Sequence, residues 1–489
     1  MRNDIINKCE LKVIFCDNEA RAATFIQKIN EGVVHVPKKL VILNSSSRQP
    51  DGAHESIEGL EVYSYEHMMA LGEENLKPPV SPSPSSTYII CFTSGTTGQP
   101  KGVQLSHRSL LVAMSGLYMQ WVPPPNRFCF SRNDVYFSFL SLAHIYEHLM
   151  QAFTIYVGGR IGIYSGDVSR LLTDIKVKIE MLHNGVQRHD TLWDKLVFKK
   201  IHKQFGGRLR LLTTGGAPVT PTVMDFTRIA YGCPLMEGYG QTECGAAGTL
   251  NLPFDCSSGH VGGPAPWAQV KLVDVPELSY FAAENKGEVC FRGAAVMRGY
   301  FMDDELSRKT VDEEGWLHTG DIGEWQINGA LRIIERKNAF IKLAQGDFVS
   351  PEQIESVYLC SPLIEQIFVF GLAIRSFLVG IAVTNVAVLR RTMSGRHEHL
   401  PQMARYTELP DEKLLSEPDV RNFVLNELNN LARDKKLQTI ELIKNIHLIS
   451  QEFTAESGLV TPTLKLRRHL LKQRFQKEIE RMYNDITTL

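Results

Sequence analysis

Residues Tyr88 to Val103 read Tyr-Ile-Ile-Cys-Phe-Thr-Ser-Gly-Thr-Thr-Gly-Gln-Pro-Lys-Gly-Val, and this stretch sets the terms for the rest of the chain. Tyr88 to Phe92 is short, apolar and rich in β-formers, whereas Thr93, Ser94, Gly95, Thr96, Thr97 and Gly98 are all hydroxyl residues or glycine. The pattern predicts a buried strand running into a turn. Such a turn suits polyphosphate: the glycines let backbone N–H groups approach anionic oxygens, the four hydroxyls donate further hydrogen bonds, and Lys101 supplies positive charge. Ser106 reads as the N-cap of a following helix. The Walker pattern is not matched, because Gln99 and Pro100 separate Gly98 from Lys101 and Gly102 follows the lysine.

Several function classes drop out on composition. The net charge of -1 leaves no global basic field, so no nucleic-acid partner is expected. Nine cysteines are scattered without a Cys-x-x-Cys pair, which argues against a zinc site or disulfide framework and for a reducing compartment. No run of about 18 apolar residues occurs. The most apolar region, Val135 to Tyr164, is broken by His144, Glu147, His148 and Arg160. The opening Met-Arg-Asn-Asp lacks the shape of a signal peptide. Judged from the residues alone, the chain is cytoplasmic.

Alternating strand and helix signals at Leu11–Cys16, Glu19–Ile29 and Leu40–Leu43 give the beat of an α/β fold. Later strands are expected at 134–142, 158–164, 209–213, 366–370 and 378–383. Helices are expected at 105–121 and, amphipathic and docked, at 467–483. The segment Ser350-Pro351-Glu352-Gln353 predicts a capping box. Residues 390–419 read as a polar loop.

The stretch at 88–103 resembles the signature of the AMP-forming acyl-adenylating superfamily. Further segments match in order: Thr214-Gly215-Gly216-Ala217-Pro218, Glu237-Gly238-Tyr239-Gly240-Gln241-Thr242-Glu243, Gly315-Trp316-Leu317-His318-Thr319-Gly320-Asp321 and Ile333-Ile334-Glu335-Arg336. By this resemblance Gly215, Gly216 and Ala217 border the adenine of ATP, Tyr239 stacks on it beside Gly240, and Thr242 touches a phosphate. Glu243 holds Mg²⁺, a role that suits a hard carboxylate oxygen. Asp321 accepts hydrogen bonds from both ribose hydroxyls, and Arg336 is a further nucleotide contact. In Leu459-Val460-Thr461-Pro462-Thr463-Leu464-Lys465, Lys465 matches the catalytic lysine, joining Lys101, Thr242 and Glu243.

Two segments are similar to long-chain fatty acyl-CoA synthetases in particular: Leu142-Ala143-His144-Ile145-Tyr146-Glu147, and Ile341-Lys342-Leu343-Ala344-Gln345-Gly346, whose Lys342 faces the site in the CoA step. The fold implied is α/β, with a truncated adenylate-forming domain of mixed sheets over 1–335 and a smaller mobile α+β lid over 336–489. The reaction implied joins a long-chain fatty acid to AMP and then to CoA. By family, membrane contact at the cytosolic face of the endoplasmic reticulum or mitochondrial outer membrane is implied, with no transmembrane anchor in this chain. Three departures stand out. The family's long N-terminal portion is missing, a strand and helix are missing between Asp167 and Asp194, and Glu335 and Asn338 stand where relatives carry Asp and Lys. They define an alternative: a shortened form that keeps the nucleotide motifs, does not turn over and acts by binding a partner.

Overall fold

The structure is a computed structural model. It describes residues 2–45, 57–94, 100–124, 128–163, 207–217, 219–337, 339–345, 347–395, 406, 408–461 and 465–487. The expected mixed α/β architecture is observed, among the described residues as seven sheets of two to four strands with helices packed on them.

Strands β1 (Val13–Asn18), β2 (Lys39–Asn44) and β3 (Glu61–Ser64) form a parallel sheet. The helix Glu19–Asn30 covers it, with Ala22, Phe25, Ile26 and Ile29 buried. That i, i+3, i+4, i+7 spacing is an apolar helical stripe. Next, β4 (Thr87–Ser94) and β5 (Pro100–Ser106) pair as an antiparallel hairpin, and β14 (Gly299–Tyr300) pairs on the far side of β5. β4 is therefore an edge strand of this sheet, and the expectation of a buried strand fails: among its residues of described burial only Cys91 is buried. Successive side chains of a strand point to opposite faces of the sheet, and on β4 those other than Cys91 with described burial stay partly open to solvent. Ser106 accepts from Ser109 N–H and caps the helix His107–Trp121, as expected. That helix begins after β5, so Leu105 belongs to the strand.

β6 (Val135–Ser138) pairs in parallel with β7 (Arg160–Ile163), and β8 (Leu212–Gly215) with β9 (Leu235–Tyr239). β10 (Thr249–Leu250) and β11 (Gly263–Pro264) extend the second of these sheets. An antiparallel sheet follows in the order β12 (Gln269–Val273), β13 (Lys286–Arg292), β15 (Leu317–Trp325), β16 (Leu331–Arg336). The expected internal shortening around 167–194 lies outside the described residues.

After β16 comes the hairpin β17 (Ile341–Lys342) and β18 (Phe348–Val349), then the sheet β19 (Ile364–Gly371), β20 (Leu378–Thr384), β21 (Ile443–Ile449). The two core clusters built on that last sheet draw only on residues from Leu343 onward, while two others use residues between Cys91 and Leu331. The expected polar loop at 390–419 is wrong at both ends. Helices Val386–Gly395, Asp411–Ser416 and Pro418–Asp434 occupy much of it, with Met393, Tyr406, Leu414 and Leu415 buried. Its few apolar residues are spaced to face one side, which average polarity hides. The final helix is in fact two, Arg468–Arg474 and Gln476–Thr487, both docked through Leu471, Phe475, Ile479, Met482 and Tyr483. Among the described residues no helix is long and apolar enough to cross a membrane.

One close approach gives a stability prediction. A Cβ at Gly116 would lie 1.9 Å from Trp267 Cε3, and Trp267 is pinned because its indole N–H donates to Ala247 O at 2.8 Å. Gly116→Ala is expected to cost about 1–3 kcal/mol and to lower the melting temperature. Gly72→Ala in the helix Tyr65–Glu74, where nothing lies within 4 Å, is expected to be neutral or to gain roughly 0.5–1 kcal/mol. Thermal denaturation of both variants checks the contrast.

Candidate active site

Parallel pairing puts the ends of β8 and β9 side by side, with Gly215 opposite Gly238. A Cβ on Gly215 would meet Gly238 O at 2.9 Å, and Gly216 has φ +81, so both positions favour glycine. Gly215, Gly216 and Ala217 are exposed there, and Tyr239 closes β9. The chain then folds back on itself. A Cβ on Gly240 would lie 2.6 Å from Ala246 O, and the single turn Thr242–Cys244 follows.

The centre of the site is Asp321, in mid-strand on β15 and 4% exposed. A buried strand position replaces the exposed turn such an Asp suggests from sequence. Tyr239 Oη donates to Asp321 Oδ2 at 2.7 Å, and Gln241 Nε2 donates to the same oxygen at 2.8 Å and to Thr319 O at 2.8 Å. Arg336, at the end of β16, brings its Nε to 3.2 Å from Asp321 Oδ1. Burial, followed by the charge of Asp321, pushes the Tyr239 phenol up. The phenol therefore stays a hydrogen-bond donor.

A second cluster lies where the β4–β5 hairpin meets β14. Lys101 on β5 sits opposite Thr93 on β4. Its Nζ is 5.6 Å from the centre of the Tyr300 ring, and Tyr300 Oη donates to Glu243 Oε1 at 2.8 Å. Tyr300 thus separates a cation from a carboxylate. Tyr300 belongs to none of the motifs named above, and Gln241 belongs to one that gave no hint of its contact with Asp321. Gly95, Thr96, Thr97 and Gly98 lie outside the described residues.

Among the described residues no group of three or more His, Cys, Asp or Glu side chains could hold a metal ion. A single carboxylate, Glu243, fits Mg²⁺ nonetheless, since that ion commonly takes one or two protein carboxylates and completes its shell with water and substrate phosphate.

From the C-terminal part, Lys465 lies within electrostatic range of this site. It stands on a tight turn in which its N–H donates to Thr461 Oγ1 at 3.0 Å and its carbonyl accepts from Thr461 N–H at 2.8 Å. Lys465 keeps an exposed surface, yet desolvation by the protein around its amine, and then Arg336, lower its pKa against the pull of Glu352 and Asp321. Its charge also helps lower the pKa of His144, after burial. His144 itself caps the helix Ile145–Tyr156 through its side chain. Lys342 is exposed on β17, with its Nζ 5.4 Å from the Phe348 ring centre. No described contact joins it to Asp321, Arg336 or Glu243.

Glu335, 2% exposed, links the two parts. Its carboxylate accepts from Ser350 Oγ at 2.7 Å, Glu352 N–H at 3.0 Å and Arg336 N–H at 2.8 Å. Ser350 caps the helix Pro351–Tyr358, accepting from Gln353 N–H, which is one half of the expected capping box; the reciprocal Gln353 side-chain bond is absent among the described contacts. Glu335 adds a second acceptor at that helix start. Burial and the nearby Glu352 raise its pKa.

Comparison with known proteins bears on this arrangement. The sequence profile of the AMP-binding enzyme family matches residues 2–301. Long-chain-fatty-acid–CoA ligase 1 of Cavia porcellus is 35% identical, covering 99% of this chain and 73% of its own length. Long-chain-fatty-acid–CoA ligase 5 of Mus musculus is also 35% identical, covering 99% and 74%. The first alignment runs over 523 positions, more than the 489 residues here, so that relative carries residues this chain lacks within the aligned span. Among solved structures, the A domain of carboxylic acid reductase from Segniliparus rugosus, in complex with AMP and a co-purified carboxylic acid, superposes with a TM-score of 0.73 at 19% identity. It covers 99% of this chain and 77% of that one, and it establishes likeness of fold. Nothing in these comparisons favours the non-catalytic alternative. On a family profile spanning most of the chain and 35% identity over nearly all of it, the chain belongs to the AMP-binding enzymes and, among them, to the long-chain-fatty-acid–CoA ligases.

Proposed function

We infer that this chain activates a long-chain fatty acid with ATP, giving acyl-AMP and pyrophosphate, and then transfers the acyl group to CoA with release of AMP. The observation that carries the reading is the convergence of Tyr239, Gln241 and Arg336 on the buried Asp321, with the charge of Lys465 felt at Arg336 and Asp321. A buried carboxylate with one cation at 3.2 Å and a second within electrostatic range suits a polyanionic ligand that also carries hydroxyls.

In this reading Asp321 takes the ribose. Its carboxylate has about four lone-pair positions; Tyr239 and Gln241 both donate to Oδ2, so Oδ1, which Arg336 Nε approaches at 3.2 Å, is the oxygen left for the ribose. Tyr239 and the exposed end of β8 flank the adenine. Lys101, Thr93 and Thr242 contact phosphates, and Arg336 and Lys465 stabilise charge as the fatty carboxylate attacks the α-phosphate. One anion approaches another, so fixed cations aimed at the forming charge lower the barrier most. Magnesium held by Glu243 would neutralise phosphate charge. Residues from Arg336 onward act as a lid that delivers Lys465 for adenylation. In the CoA step the lid turns to present the hairpin of Lys342 and Phe348 instead. Because the substrate partitions into membranes, we assign the work to the cytosolic face of the endoplasmic reticulum or mitochondrial outer membrane.

Incubation with Mg-ATP, palmitate and CoA is expected to yield equal amounts of AMP and palmitoyl-CoA by mass spectrometry. AMP without thioester would limit the activity to the first step.

A further inference from the structure

The turn that bears Lys465 has two short hydrogen bonds of its own, which shape the turn but leave its direction open. Three residues on, Arg468 supplies an anchor. Its Nη2 donates to Glu355 Oε2 at 2.5 Å, its Nη1 donates to Val369 O at 3.3 Å, and its guanidinium carbon lies 5.7 Å from the Phe368 ring centre. Glu355 Oε1 accepts from Val369 N–H at 2.7 Å. Arg468 and Glu355 together satisfy both backbone groups of one residue on β19.

Glu355 belongs to the helix Pro351–Tyr358, whose first turn is held by Glu335, the neighbour of Arg336. The same short helix therefore ties Arg336 at its first turn and, through Glu355, the Lys465 turn less than one turn further on. Glu352 and Glu355 are separated by about 4.5 Å of helix rise, which bends little. The backbones that carry Arg336 and the Lys465 turn are consequently held through one rigid element.

We propose that Arg468 and Glu355 are positioning residues that set the reach of Lys465 into the nucleotide site. The proposal rests on the reading of Lys465 as the charge-stabilising lysine of adenylation. A pair that merely stabilised the fold would have no special link to Lys465. Burial supports the same assignment, since Glu355 is raised to about 7 by desolvation even with Arg468 opposing it, which makes the pair a costly means of stability alone.

Arg468→Met alone would leave a buried carboxylate without its cation, so the test uses the double variant Glu355→Gln/Arg468→Met in the full chain. The readout is palmitate-dependent ATP–pyrophosphate exchange, measured with and without Lys465→Ala. The expected result is a fall in kcat of about tenfold to a hundredfold, with KM for ATP within about twofold. In the Lys465→Ala background the same change is expected to add less than about twofold, because the two act through one group. An unchanged kcat, or an equal loss in both backgrounds, overturns the proposal.

Absence of exchange in the native chain would contradict the functional reading instead. Positioning is then read without turnover, from the pH dependence of Lys465 labelling by an amine-reactive ester, followed by peptide mass spectrometry. In the double variant the labelling midpoint is expected to rise towards that of an ordinary lysine as the turn leaves Arg336. An unchanged midpoint overturns the proposal.

Discussion

Lys465→Ala is expected to lower palmitate-dependent pyrophosphate release about 10²–10³-fold, the loss typical of removing one preorganised charge-stabilising donor. The described hydrogen bonds of Lys465 are made by its backbone, so removing the side chain orphans no described buried partner and the fold should survive. An unchanged melting temperature beside the lost rate checks that separation. Lys465→Arg keeps the charge but replaces a compact ammonium with a planar fork, and partial activity at most is expected. The lowered pKa of Lys465 adds a pH signature. The working form is protonated, so the rate should fall as pH rises through a midpoint below the ordinary lysine value of about 10.4. In Lys465→Ala that limb should vanish from the profile.

The second large effect is at Asp321. Asp321→Ala removes the acceptor for Tyr239 Oη and Gln241 Nε2 and the partner of Arg336. Arg336 is half exposed and can turn to water, so the cost comes mainly from the two donors, about 1–3 kcal/mol for each one left buried without a partner. A measurable fall in urea midpoint is expected. Asp321→Asn separates binding from folding, since it keeps an oxygen of the same shape. A charged hydrogen bond is worth about 1.5–3 kcal/mol, so the KM for ATP should rise roughly tenfold or more in a variant that remains folded. A normal ATP KM in Asp321→Asn would remove the ribose from this position.

How these residues meet could be foreseen only in part. Motifs whose residues sit close in sequence announced themselves, because a phosphate loop or a helix cap is a local arrangement of hydroxyls, glycines and prolines. Ser106 and Ser350 cap as their neighbours dictate. The Asp321 network was not legible, since Tyr239 and Asp321 are 82 residues apart and meet only because β9 and β15 belong to sheets that abut. Tyr300 was invisible for the same reason: 57 residues separate it from Glu243, and a tyrosine after a glycine is an ordinary event. The helices between 386 and 434 were hidden by composition. Their polar faces outnumber the few leucines, the two valines and the phenylalanine, methionine and alanine that they bury. Glu335 stood out as a departure from pattern, yet its two contacts at the start of the next helix could not be read from a side chain one methylene longer.

The central claim is that a fatty carboxylate and ATP react at the opening between Asp321, Arg336 and Lys465. Exchange of labelled pyrophosphate into ATP, with and without palmitate and in the absence of CoA, tests it most directly. The account predicts exchange that requires the fatty acid and disappears in Lys465→Ala. Exchange that ignores the fatty acid, or none at all from folded chain that binds ATP, would contradict it.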